Sequence, residues 1–221
     1  MKIIEPSFQW LDGKLPDGHA ILANIATAGR VCYQSEQTSD DATFVRNLIK
    51  RGHESVIEHG LISVLLTCDR GVTHEAVRHR IASYSQESTR YCNYSKGKFG
   101  AEITYIDITR GISLCPVTSK LGLDTIAEII AEWFKACADA ERHYMRMIEL
   151  GASPQIARSV LNNSTKTGIV ISMNPREWRH FFKLRNDPAA HPQMREVAEM
   201  MLTEFKNAVP VVFDDLEVYD K

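Results

Sequence analysis

Arg78-His79-Arg80 sets three basic side chains in succession, and after seven intervening residues Ser88, Arg90 and Tyr91 form a second polar group. Guanidinium groups without partners are too costly to bury, so this stretch is not ordinary core. Arginine's planar fork matches phosphate and carboxylate, and hydroxyls complete the set of donors. The chemistry is that of an anion-binding site; the alternative is a surface turn with accidental charge. A second stretch, from Asn174-Pro175-Arg176-Glu177 through Trp178-Arg179-His180-Phe181 to Phe182-Lys183-Leu184-Arg185, is also rich in cations. On a helix Arg176, Arg179, His180 and Lys183 share a face, with Trp178, Phe181 and Phe182 turned inward and Leu184 at their flank. From the residues alone this could equally be a basic amphipathic helix with a solvated side. A third stretch, His53-Glu54-Ser55-Val56-Ile57-Glu58-His59, suggests a metal. Its spacing fails, because H-E-x-x-H would need His where Ile57 stands and H-x-x-E-H would need His where Ser55 stands. No metal is expected.

The surrounding pattern supplies the elements that must position these groups. Pro16-Asp17-Gly18 leads into a helix over His19–Ala28. Ser39-Asp40-Asp41 caps a helix that runs to about Lys50, buries Phe44, Leu48 and Ile49, and ends at Gly52. Leu61–Thr67 predicts a buried strand. Gly71 starts a short helix that carries Arg78 and Arg80 near its end. Asn93–Gly100 reads as a loop and Ile103–Ile108 as a weak strand. Leu121–Leu150 is the longest helical pattern, with Ile126, Ile129, Ile130, Trp133, Phe134, Cys137 and Tyr144 on one broad face. Gly151 closes it, and Ser153-Pro154 opens a short helix. Lys166–Met173 predicts a strand, Asn174-Pro175 a helix to about Arg185, and Pro192–Asn207 the last helix. Helices cluster and strands are few, so the expected fold is α+β: a single domain over residues 1–221, with a small antiparallel sheet packed with helices.

With 221 residues and 44% hydrophobic composition the chain can bury a sizeable core. A net charge of −2 gives no global attraction to nucleic acid or an anionic membrane, so an anion site has to be built locally. No apolar run approaches the ~20 residues of a membrane span, and Met1–Pro6 shows no signal-peptide pattern. Five cysteines, an odd number without a C-x-x-C pair, fit reduced thiols in a cytoplasm. No G-x-G-x-x-G follows a strand and no G-x-x-x-x-G-K-[ST] occurs, so neither a Rossmann nor a P-loop site is supported.

The spacing of Arg78, His79, Arg80 and Ser88, continued by Arg90-Tyr91, resembles the RHR-x7-S signature of the flavin-dependent thymidylate synthases. Asn174 and Arg176, leading to a helix that ends in Leu184-Arg185, resemble the family's second signature. Ala157-Arg158-Ser159-Val160-Leu161 and Gly52-His53-Glu54 resemble two further segments. Many members carry Asn and Glu where this chain has Ser85 and Gln86, and Gln where it has Glu75.

The resemblance implies synthesis of dTMP from dUMP, with 5,10-methylenetetrahydrofolate as one-carbon donor, FAD as cofactor, NADPH as reductant and no cysteine nucleophile. It implies flavin contacts at His53, Ser55, Arg78, His79, Arg80, Asn174, Arg176 and His180. Substrate contacts fall on Glu75, Arg78, Gln86, Glu87, Ser88, Thr89, Arg90, Arg158 and Arg185, with Arg185 catalytic at the pyrimidine. Glu75 belongs to that set although a carboxylate would repel a phosphate. The family's flavin sites lie at subunit interfaces of a homotetramer, so the chain is expected to be an obligate homo-oligomer in which the Arg78 and Arg176 regions of different subunits meet. The competing class is a nucleotide- or nucleic-acid-binding module using the Arg-rich segments. Net acidity and the lack of aromatics interleaved with Lys speak against it.

Overall fold

Residues 1–34, 36 and 39–217 are described by the structure, a computed structural model. The chain opens with strands β1 (Lys2–Ile4) and β2 (Ser7–Trp10) and helices α1 (Gly18–Tyr33) and α2 (Asp41–Lys50). A 3₁₀ turn over Glu54–Glu58 leads to β3 (Ile62–Asp69), α3 (Arg70–Ala76) and β4 (Ala82–Gln86). Then follow β5 (Thr104–Ile106), α4 (Thr109–Leu114), α5 (Leu123–Glu149) and α6 (Pro154–Ala157). The order closes with β6 (Lys166–Met173), α7 (Pro175–Arg185) and α8 (Pro192–Ala208).

The expected α+β architecture is present, built on an antiparallel sheet in the order β2-β3-β6-β4. A separate parallel pair, β1 with β5, was not foreseen. Side chains alternate along β3 and β6, so Ile62, Val64 and Leu66 lie on one face opposite Met173, Ile171 and Ile169. That face packs on Trp178, Phe181 and Phe182 of α7 and on Phe205 of α8. The other face, where the Ser63 and Ser172 hydroxyls meet at 2.7 Å, is only half-buried. β3 is thus buried on one face rather than on both, as its nearly continuous apolar run had suggested.

Three further expectations change. First, α3 stops at Ala76, so Arg78, His79 and Arg80 lie beyond the helix rather than near its end. The Tyr84 hydroxyl donates to the carbonyls of Ala76 at 2.7 Å and His79 at 2.8 Å and pins the turn. Second, Val45 replaces Ile49 as the deep partner of Leu48 in α2, and Phe44 is half-buried beneath the Arg30 guanidinium. Third, the apolar stripe of α5 is only partly covered. Cys137 and Tyr144 are buried with Tyr94, Ile103 and Tyr105 in a small second core. Ile126, Ile129 and Ile130 are half-buried, Phe134 is 48% exposed and Leu123 is 84% exposed. A helix of this length spans roughly 40 Å, and the second core supports only its C-terminal half.

A carboxylate outside the candidate site makes stability depend on pH. Glu196, on α8, lines a cleft with Glu5, Arg110 and Glu199. Burial pushes its pKa up to about 7; Arg110 opposes the shift, while Asp107, Asp69 and Glu5 add to it. Between the unfolded value of 4.5 and about 7 the native state holds a proton that the unfolded chain has released. Stability therefore falls as pH rises through this window. Glu196→Gln should raise Tm at pH 8 by roughly 2–4 °C and leave it unchanged at pH 4. Equal shifts at both pH values would refute this account.

Candidate active site

α7 is fixed at its N-terminal end by its own sequence. Asn174 caps it, accepting from the Glu177 N–H at 2.8 Å, and Pro175 takes the first position, where no amide hydrogen is needed. Trp178 anchors the helix to the sheet, its indole N–H donating to the Ile62 carbonyl at 3.0 Å. This places Glu177 and Arg185 against the segment that leaves α3. His79, only 4% exposed, turns into that contact, while its neighbours Arg78 and Arg80 face solvent.

At the contact Glu177 Oε1 lies 2.9 Å from His79 Nδ1, and Arg185 Nε donates to His79 Nε2 at 3.1 Å. Arginine can only donate, so Nε2 accepts and the imidazole proton sits on Nδ1, facing Glu177. Burial holds the His79 pKa below its ordinary value; Glu177 opposes this and Arg185 adds to it. Arg185 also donates from Nη1 to Glu75 Oε2 at 2.5 Å and from Nη2 to the Glu75 carbonyl at 3.0 Å. Glu75 is thus the counter-ion of Arg185.

His79, Glu177 and His180 offer ligand atoms within 4.8 Å of one another. Both His79 nitrogens are already engaged, which leaves Glu177 and His180 alone, fewer than the three protein ligands of an ordinary catalytic metal site. In the His53–His59 segment, the His53 ring bonds the Tyr33 hydroxyl, and Glu54 and Glu58 pair with cations of α7.

Beside this network opens a cleft of about 330 Å³, lined by Glu54, Glu58, Ile81, Asn174, Arg176, Glu177, Arg179, His180 and Lys183. Arg176 meets Glu58 at 2.6 Å and Lys183 meets Glu54 at 3.5 Å, so these two cations are partly neutralised. Arg78 and Arg80 are different: among the described residues neither makes an ion pair. Arg179 is not on the exposed basic face. It is 2% exposed and donates to the Val212 carbonyl and to both carboxylate oxygens of Asp215. Inward placement of a cation at that position was invisible without its partner from the C-terminal segment.

The second anion candidate lies at the other end of β4, roughly 17 Å away for five strand residues. There Ser88 is half-buried and Thr89 buried, and Arg158 Nη1 donates to Thr89 Oγ1 at 3.1 Å. Arg90 lies over the Tyr91 ring at 5.5 Å without a carboxylate partner among the described residues. Gln86 donates to the hydroxyls of Thr73 at 3.1 Å and Thr167 at 3.3 Å. Glu87 turns the other way, accepting from Tyr94 and Lys166, each at 2.8 Å. Burial opposes its ionisation, but these two bonds outweigh that and hold the carboxyl below its usual range.

The structure thus brings the Arg78 and Arg176 regions together within one chain, through His79–Glu177 and Arg185–Glu75, so their meeting does not require different subunits. It keeps the Ser88–Arg90 group apart from Arg78 and Arg80. Sequence reasoning missed Glu177. The signal was an acid set among inward-facing aromatics, where a charge needs a buried partner.

Residues 19–211 match the model of the thymidylate synthase complementing protein family. The chain is 34% identical over 210 residues to the flavin-dependent thymidylate synthase of Mycobacterium sp. (strain JLS), spanning 92% of this chain and 83% of that protein. It is likewise 34% identical over 202 residues to the enzyme of that description from Mycobacterium tuberculosis (strain ATCC 25177 / H37Ra), spanning 89% and 80%. Among solved structures, the UMP/dUMP methylase PolB from Streptomyces cacaoi bound with 5-Br dUMP superposes with a TM-score of 0.77 at 25% identity, over 97% of this chain and 96% of that one. The fold is α+β, with exposed cations beside a cleft. The chain belongs to the flavin-dependent thymidylate synthase family.

Proposed function

We propose that this chain forms dTMP from dUMP, with methylenetetrahydrofolate as one-carbon donor, NADPH as reductant and FAD as cofactor. The observation that carries this reading is the exposed Arg78–Arg80 pair, without an ion-pair partner among the described residues, beside a cleft walled by Asn174, Arg176 and His180. The residues fit the pyrophosphate of a dinucleotide, since two guanidinium groups without carboxylate partners keep their donors available. Bound flavin would supply the hydride that converts the transferred methylene into a methyl group. The chain's own part is to hold and polarise the nucleotide. Ser88, Thr89, Arg90 and Arg158 form a phosphate-binding group, and Ser88 Oγ, which receives the Arg90 N–H at 3.3 Å, acts as a ligand rather than a nucleophile. Arg185 presents a fixed cation to the pyrimidine as negative charge develops there.

The route uses no cysteine nucleophile. Among the described residues no cysteine lines the cleft, and Cys68 and Cys137 are buried, where burial raises both thiols.

Assembly into a homotetramer completes the site. A cleft of about 330 Å³ is at the small end for enclosing even a drug-sized ligand, so a dinucleotide would extend onto a neighbouring surface. The uncovered stripe of α5 provides apolar surface for such contacts. Five thiols without a disulfide fit a reducing cytoplasm. Among the described residues no helix is long and apolar enough to cross a membrane. The test is direct: purified protein should carry flavin and form dTMP from dUMP, methylenetetrahydrofolate and NADPH. Colourless protein that makes no dTMP when FAD is added would overturn the reading.

A further inference from the structure

We propose that Glu177 and His79 are positioning residues that hold the Arg185 guanidinium in one orientation, an inference that rests on the reading of Arg185 as the group acting on the pyrimidine. A long arginine side chain has many rotamers, and a cation that must meet one edge of a planar ring gains from having them removed beforehand. The side chain of Arg185 is 15% exposed, and three of its five N–H groups are engaged, one by His79 and two by Glu75. The two that remain belong to the terminal nitrogens and are those a ligand can use.

Glu75 alone would hold the outer end of the guanidinium. His79 holds Nε and so fixes the plane. The imidazole in turn is set from behind: Glu177 accepts from Nδ1, the Tyr84 hydroxyl fixes the His79 carbonyl, and the Phe181 ring lies 5.0 Å from the imidazole. Apart from His79 the Glu177 carboxylate has no hydrogen-bond partner among the described residues. Burying a carboxylate against a neutral ring costs stability. Its chemical effect is to make Nε2 a better acceptor and to keep the tautomer that Arg185 requires, as a carboxylate behind an imidazole does elsewhere.

Variants prepared as FAD-loaded protein test the idea. Glu177→Leu removes the acceptor and should lower kcat at saturating dUMP by roughly 10- to 10²-fold, the scale of a misplaced reacting group. With FAD loaded, KM for dUMP should stay within about twofold, because ground-state binding of the nucleotide does not depend on this contact. Glu177→Gln should recover most of the loss: Arg185 can only donate, so the new amide has to offer its carbonyl to Nδ1–H. In an Arg185→Ala background Glu177→Leu should cost less than about twofold further. The same loss with and without Arg185 overturns the proposal, as does a Glu177→Gln variant as impaired as Glu177→Leu. Full turnover in Arg185→Ala refutes the reading of Arg185 itself, and the positioning role with it. Should Glu177→Leu not fold, nitrogen-15 NMR of the His79 ring in the unaltered holoenzyme decides: a proton on Nδ1 supports the network and one on Nε2 overturns it.

Discussion

Arg185→Ala is expected to lower dTMP formation at saturating dUMP by roughly 10²-fold or more, the scale of a removed oxyanion-hole donor. The expectation follows from geometry. Arg185 is held by Glu75 on one side and His79 on the other, and its remaining N–H groups are fixed before any ligand arrives. Such an arrangement stabilises developing charge more than it stabilises the resting substrate, so its loss appears in kcat rather than KM. Reduction of bound flavin by NADPH in the absence of nucleotide should survive. Arg185→Lys should restore little, because an ammonium cannot reproduce the planar fork that meets Glu75 and His79 together. Steady-state and single-turnover kinetics separate these steps. If Arg185→Ala loses its flavin but keeps its kcat when reloaded with FAD, the assignment to the pyrimidine is wrong.

Loss of flavin is expected instead from Arg78→Ala combined with Arg80→Ala. Both side chains are exposed and without ion pairs among the described residues, so their removal should leave the fold intact. What disappears is the pair of cations that could face a pyrophosphate, each contact being worth ~1.5–3 kcal/mol as a hydrogen bond to a charged group. Together they correspond to a loss of at least ~10²-fold in affinity. The double variant should be colourless, with the Tm of the apoprotein unchanged. Retention of stoichiometric flavin in that variant would sink the assignment.

Much of the framework was legible because local chemistry agreed with tertiary structure. The limits of β6 and α7 follow from alternation and from the Asn174-Pro175 cap, and both stand at Lys166–Met173 and Pro175–Arg185. β4 escaped notice although Ala82 and Tyr84 alternate with Ser83 and Ser85, because five residues rich in hydroxyls carry too little apolar signal. β2 hid for a related reason: Phe8 and Trp10 alternate over only four residues. At the site, spacing identified the cations but not their partners. His79 sits between two exposed arginines and is nevertheless buried, because the turn after α3, in which the His79 N–H donates to the Ala76 carbonyl at 3.1 Å, directs its ring toward α7. Nothing local reveals that its partners lie on α7, 98 and 106 residues away in sequence.

The buried Arg179 also sets how α7 is held. Among the described residues its charge is compensated by groups that arrive after α8, the Val212 carbonyl and the Asp215 carboxylate, which Arg179 holds ionised by hydrogen bonding. Nearby, the Asn186 amide at the end of α7 donates to the Glu217 carbonyl at 2.6 Å. Opening this C-terminal segment would strand a guanidinium in the core, at a cost of several kcal/mol. Helix and segment therefore form one cooperative unit of local unfolding, and hydrogen exchange should register them opening together. The helix that carries Arg185 is latched from outside the sheet, by the last described stretch of the chain.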